Sequence, residues 1–230
     1  MENIKEEDEK INRKATKHVT VVLVIIIILL SLTLSAVVFK NEFLGVWYKI
    51  IGNTFSYNGV EYTKVKVGSL DMYGAKLSIY QSLKNQTVNY ILYLRNDPRI
   101  IDKMQSNVTN RLQPNIYVSF EREPFACKES SLASYKLADF IKALGSDVKG
   151  AYANSDMINA TEKNRIVRNC SDADERTGII LMKRSDKDYS YVHQDGFCYI
   201  LEIHECEAVE TSERLMLSLI DLMVAAASQK

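Results

Sequence analysis

The sequence predicts a membrane-anchored chain with a mixed α/β outer part: an N-terminal transmembrane helix, a β-meander, then a mixed sheet with a βαβ unit and a buried C-terminal helix. Three observations predict it. Residues 19–39, VTVVLVIIIILLSLTLSAVVF, form a run of 21 residues without a charge. From Thr54 to Arg95 the chain alternates apolar and polar residues around an Asn-Gly turn. Beyond it, short strand and helix patterns succeed one another with brief joints, the signature of strands and helices layered on one core.

At about 1.5 Å per residue the uncharged run makes a helix roughly 32 Å long, which matches a hydrocarbon core of about 30 Å. In lipid a backbone must satisfy its own hydrogen bonds, so even the β-branched stretch Ile25 to Ile28 is helical there. Five basic residues precede the run (Lys5, Lys10, Arg13, Lys14, Lys17), and only Lys40 and Lys49 follow within twenty. This asymmetry places residues 1–18 in the cytoplasm and everything from Lys40 outside. Two other fates compete. Thr33-Leu34-Ser35 offers small residues for signal-peptide cleavage, although the apolar run exceeds the usual 7 to 15 of an h-region. Arg13-Lys14-Ala15 resembles a pilin-type leader cut just before an apolar helix, which would make the run a filament-packing helix.

Residues 40–53 place Phe43, Trp47 and Ile50 on one helical stripe, with the single Trp where an aromatic belt is expected. We read them as an interfacial collar and residues 54–230 as one extracytoplasmic α/β domain. In that domain Phe55 to Tyr57 and Val60 to Tyr62 flank Asn58-Gly59, a strong hairpin signal because both residues accept positive φ. Strands follow at Lys76 to Gln81 and Val88 to Arg95, the latter with Val88, Tyr90, Leu92 and Leu94 on one face. Ile116 to Phe120, a helix over Ser131 to Leu144 closed by Gly145, and Asp147 to Ala153 make a right-handed βαβ unit. The helix carries an apolar stripe of Ala133, Leu137, Ile141 and Leu144. Further strands are predicted at Arg165 to Cys170, Gly178 to Lys183, Tyr189 to Gln194 and Phe197 to Ile203. The last helix, Ser212 to Ala227, is apolar on most sides and is expected to be buried. It is too short, and carries Asp221, to be a second span.

Composition bounds the partners. With the five basic and five acidic residues of positions 1–18 set aside, 24 of each remain outside. A balanced exterior argues against nucleic acid, which calls for a basic stripe. The lipid bilayer is the first partner, and another envelope protein or a glycan is the expected second. All four cysteines, Cys127, Cys170, Cys198 and Cys206, lie outside, an even count in an oxidising compartment that reads as two disulfides. Four glycosylation sequons lie on the same side, at Asn85, Asn107, Asn159 and Asn169.

Asp195-Gly196 reads as the turn of a hairpin that sets Gln194 opposite Phe197 and His193 opposite Cys198. On that register His193, Glu202 and His204 share a face, but His204 lies about 20 Å from His193, too far for one metal ion. The same strand carries Cys198 and Cys206 beyond the roughly 4.4 to 6.8 Å that a bridge needs, which disfavours their pairing. Of the two remaining connectivities we prefer Cys127 with Cys206, both at starts of helices that follow strands, and Cys170 with Cys198. Asn96-Asp97-Pro98-Arg99 reads as a capped turn in preference to a loop that presents polar groups to a ligand. Asp172, Asp174 and Glu175 read as a solvated loop, lacking the glycine and distal glutamate of a calcium loop. No GxSxG, SxxK, HExxH, P-loop or GxGxxG pattern occurs, so no catalytic residue, metal ligand or cofactor is assigned.

Four short motifs carry a resemblance: Tyr93 to Arg99 (YLRNDPR), Asn169 to Asp172 (NCSD), Cys198 to Glu202 (CYILE) and Cys206 to Arg214 (CEAVETSER). In order and spacing they resemble an uncharacterised archaeal family of single-span proteins with a disulfide-containing outer domain, over about Phe55 to Leu222. The resemblance implies an archaeal cell-surface setting and no catalytic residues. The expected function is a non-enzymatic envelope binding or structural module. An extracytoplasmic hydrolase with a site assembled from distant residues is the alternative, and a pilin-like subunit processed near Ala15 is the third.

Overall fold

The computed structural model describes residues 53–81, 84–121, 127–155 and 166–227. The cytoplasmic tail with Ala15, the transmembrane run 19–39, the collar up to residue 52 and the sequon at Asn159 lie outside the described residues. Among those described, no helix is long and apolar enough to cross a membrane.

The first four strands, β1 (Thr54–Tyr57), β2 (Val60–Val67), β3 (Leu70–Gln81) and β4 (Gln86–Leu94), form an antiparallel sheet in sequence order. Asn58 (φ 47°) and Gly59 (φ 77°) both take positive φ between the paired Tyr57 and Val60, the pattern of a tight I′ hairpin. Alternation then sorts the side chains: Tyr62, Ala75, Leu77, Ile79, Leu92 and Leu94 face inward and are buried. On the opposite face the Tyr93 ring covers Gly74, where a Cβ would stand 3.3 Å from it. The sheet ends at α1 (Pro98–Ile101), a single turn capped by the Asp97 carboxylate, with Pro98 at its start where no donor is needed.

The second sheet holds β5 (Asn115–Phe120), β6 (Asp147–Tyr152), β7 (Thr177–Arg184), β8 (Tyr191–Asp195) and β9 (Cys198–Ile203) in the order β6-β5-β7-β9-β8. All neighbours are parallel except β8 with β9. The helix α2 (Ser130–Ala143) joins β5 to β6, and the chain then returns past β5 to β7. Right-handed crossovers running in opposite directions place their connections on opposite faces. The two apolar clusters follow that rule. Leu137, Phe140 and Ile141 of α2 pack on the face of Ile116, Val118 and Phe120, whereas Cys170 and Ala173 of the return pack with Tyr117, Ile179 and Leu181 on the other. Central β7 is covered on both sides, which is why it reads as a continuous apolar run.

The long helix α3 (Ala208–Ala227) lies with α2 between the two sheets, and one core joins residues of both sheets to both helices. From Ala208 to Ile220 only Glu210 is not buried. A helix enclosed on all sides buries polar residues too, and most find a partner, Ser212 Oγ being an exception. Glu213, 1 % exposed, accepts N–H bonds from the backbone of Arg95 and Asn96 and from Asn96 Nδ2, tying the end of β4 to the helix. Burial still pushes its carboxyl above the usual range against those donors. Arg214 pairs with Asp102 at 2.9 Å and donates to the carbonyl of Met104 at 2.7 Å.

Four expectations change. The β8–β9 hairpin pairs Asp195 with Cys198 and His193 with Ile200, because Gly196 (φ 56°) and Phe197, not Asp195 and Gly196, form the two-residue loop. A shift of two residues leaves every side chain on its predicted face. The strand expected over Arg165 to Cys170 reduces to a single bridge between Val167 and Tyr152, after which Asn169 caps a 3₁₀ turn at Cys170–Asp172. The last helix begins at Ala208, one turn before Ser212. Phe140, outside the predicted stripe of α2, is fully buried, since α2 contacts two sheets and needs a wider apolar face.

Candidate functional site

The two cystines frame the mixed sheet. Cys127, just before α2, is bonded to Cys206, just past β9, with Cα atoms 5.5 Å apart. Cys170 of the 3₁₀ turn is bonded to Cys198 at the start of β9, with Cα atoms 5.3 Å apart. Both ends of β9 are therefore tied to segments distant in sequence.

Of the polar residues that share a face in the predicted hairpin, the structure sets His193 and Glu202 on neighbouring strands of one face and leaves His204 past the end of β9. Glu202, 3 % exposed on β9, takes Lys183 Nζ of β7 on one oxygen at 2.9 Å. Its other oxygen, Oε2, is buried without a hydrogen-bond partner, and so is Nδ1 of His193. The His193 ring stacks on Tyr191 at 5.3 Å, and Lys187 Nζ stands 4.1 Å over the Tyr191 ring. Burial holds the His193 imidazole below its ordinary range; the Glu202 charge opposes this and the Lys183 and Lys187 charges add to it. The cluster offers a base, His193, on the same face as a carboxylate paired with Lys183. The nearby hydroxyls are engaged: Ser190 donates to Glu207 at 2.7 Å, and Ser119 to the Arg168 carbonyl at 2.6 Å. His204 turns away, its Nδ1 3.1 Å from the Lys187 carbonyl. Among the described residues no group of three or more His, Cys, Asp or Glu side chains is placed to hold a metal ion.

The other polar motifs are absorbed locally. Asp97 caps α1 and holds Arg99 in an ion pair, which keeps its carboxyl below the usual range. Asp174 accepts the backbone N–H groups of Arg176 and Thr177, both at 2.8 Å, so that loop is closed by its own carboxylate. Asn85 and Asn107 are exposed, and their Oδ1 atoms accept from Tyr80 Oη and the Gln194 backbone N–H. Asn169 is half-buried in the 3₁₀ cap beside a bridged cysteine.

A concave site occurs elsewhere, at a seam between the layers, and no linear motif marks it. A cavity of about 450 Å³ opens where the end of α3 passes β3, α2 and the loop ahead of β5. Its apolar walls are Ile79, Leu112, Leu144, Leu219, Leu222 and Met223. Ser78, Tyr80, Ser146 and Arg111 bring polar atoms to the lining. Gly145 (φ 105°) turns the chain sharply after α2 and lets Gln81 approach, whose Nε2 donates to the Ala143 carbonyl at 2.7 Å. That hydrogen bond answers one of the open carbonyls at the end of α2. The Arg111 backbone is fixed as well, its carbonyl accepting from Tyr199 Oη at 2.8 Å and from Gln113 Nε2 at 3.0 Å. Volume and lining are those of a small-molecule site: mostly apolar, with a few polar groups converging on it. Comparisons with known protein families, curated proteins and solved structures return no match for this chain.

Proposed function

We propose that the chain is a membrane-anchored binding module of the cell envelope, with residues 1–18 inside, the 19–39 run as anchor and residues 54–230 outside. The seam cavity carries the binding part of this reading, as a ligand-sized apolar space with polar atoms on its lining. Two cystines support an oxidising, extracytoplasmic compartment. Exposed Asn85 and Asn107 are then glycan acceptors, and Asn169, committed to its cap, is the least accessible of the described three. The resemblance to archaeal single-span surface proteins fits the same setting.

The test is native mass spectrometry of the full chain extracted from its own membrane in mild detergent. One small-molecule adduct per chain is expected, lost in Ala226→Trp, which fills the cavity from half-buried Ala226 on α3 while leaving the melting temperature unchanged. An adduct-free chain, or an adduct indifferent to Ala226→Trp, contradicts the reading. The hydrolase alternative has one observation in its favour, the unpaired His193 and Glu202 atoms. It predicts that His193→Gln abolishes an activity without altering the adduct.

A further inference from the structure

The geometry points to a single-tailed acidic amphiphile, an alkyl chain ending in a carboxylate or phosphate, as the ligand of the seam cavity. This rests on the binding-module reading and goes beyond it in naming the ligand's chemistry. Two observations select it.

The first is size against lining. At about 30 Å³ for each atom-sized unit, the cavity holds on the order of fifteen heavy atoms. That is one tail and not two. Ile79 and Leu219, 2 % and 3 % exposed, form the floor, and half-buried Leu222 and Met223 continue it along α3. An alkyl chain laid there gains roughly 0.8 kcal/mol for each methylene taken from water.

The second is charge. Arg111 is the one charged side chain among the described lining residues, and none of them is Asp or Glu. Its guanidinium is exposed and makes no ion pair with a described residue, while its backbone is held by Tyr199 and Gln113. A cation beside an apolar slot complements an acid group at the end of a tail, because guanidinium pairs carboxylate or phosphate through two parallel hydrogen bonds. The end of α2 also borders the cavity beside the Arg111 loop and contributes partial negative charge, which the guanidinium offsets where an acid head group sits.

The experiment uses the full chain in nanodiscs of zwitterionic lipid, with empty nanodiscs as background and cis-parinarate, a single-tailed fluorescent acid without an appended ring, as the probe. Probe fluorescence above background is expected, with displacement by dodecanoate and dodecyl phosphate. Dodecanol and dodecyltrimethylammonium should displace at least tenfold less well, and Arg111→Ala should weaken dodecanoate at least tenfold while leaving dodecanol unchanged. If dodecanol competes as well as dodecanoate, or Arg111→Ala changes nothing, the acidic ligand class is overturned and the cavity reading survives. If no alkyl compound binds and Ala226→Trp matches the parent, both fall. Arg111→Lys and Arg111→Met separate charge from packing: dodecanoate binding restored in part by lysine and not by methionine supports the head-group contact, and equal retention in both assigns the effect to packing instead.

Discussion

Every strand of the meander pairs with its neighbour in sequence, whereas the mixed sheet sets Asn115 beside Thr177 and Ile179 beside Cys198. The two sheets share one core, yet they close at very different entropic cost. Hairpins such as Tyr57 to Val60 order two loop residues, while the parallel pairs close long loops before any contact repays them. Both cystines stand on the mixed sheet and none on the meander. The cross-links therefore lie where the chain travels farthest, and both end on or beside β9.

The largest expected effect breaks the comparison at that point. In the chain-entropy view the Cys127–Cys206 bridge, spanning 79 residues, contributes about 4.5 kcal/mol, and Cys170–Cys198, spanning 28, about 3.5 kcal/mol. Replacing each pair with alanines should lower stability in that order in chemical unfolding of the full chain in nanodiscs. Because the core is continuous, circular dichroism and tyrosine fluorescence should report one shared transition. A meander that outlives the mixed sheet would show two folding units.

Next is Gly178→Ala in β7. A Cβ there would stand 2.5 Å from Gln113 Oε1 and 2.7 Å from Ile116 Cδ1, so overpacking should cost about 2 kcal/mol, read as a lower unfolding midpoint at unchanged slope. Gly59→Ala probes the meander in the same assay. Its φ of 77° disfavours a Cβ, and the loss should be about 1 kcal/mol. A Gly59→Ala variant weaker than either cystine-free variant would invert the account of what holds the domain.

The smallest effect is a pH dependence. His193 is held below its ordinary 6.5 by burial, so the unfolded chain takes up that proton first as pH falls. Stability should be fully present above about 6.5, decline as pH drops through the interval down to the folded value, and level off beneath it. Glu213 and Asp221, both raised by burial, act with opposite sign, adding stability as pH falls from their raised folded values toward the ordinary carboxylate range. His193→Gln should flatten the unfolding midpoint between pH 7 and pH 5.5; an unchanged slope would remove His193 as its source.

Local patterns made the meander, the βαβ unit and the buried last helix legible, because alternation, Asn58-Gly59 and Gly145 act over a few residues. The loop at Gly196 lies one residue later than expected, which shifts the pairing by two, because Asp-Gly signals a turn without fixing which residues occupy the loop. The strand expected before Cys170 is replaced by one bridge for a related reason: Ile166 is exposed and only Cys170 of the segment packs on the sheet, so its apolar residues do not mark a ladder. The seam cavity was invisible for a different cause. Ile79, Arg111, Leu144 and Leu222 come from four separate segments and meet only once the layers stack. No spacing within a sequence encodes that meeting. The buried partners of α3 were hidden likewise, since Glu213 and Arg214 look like a solvated face until a second sheet covers them.

The central claim, an outer domain closed by two cross-links on β9 in an oxidising compartment, is tested most directly by non-reducing peptide mapping. The full chain is alkylated in its native membrane before extraction. The account predicts Cys127 linked to Cys206, Cys170 linked to Cys198, and no alkylated cysteine. Alkylation of all four, or a peptide joining Cys198 to Cys206, would contradict it.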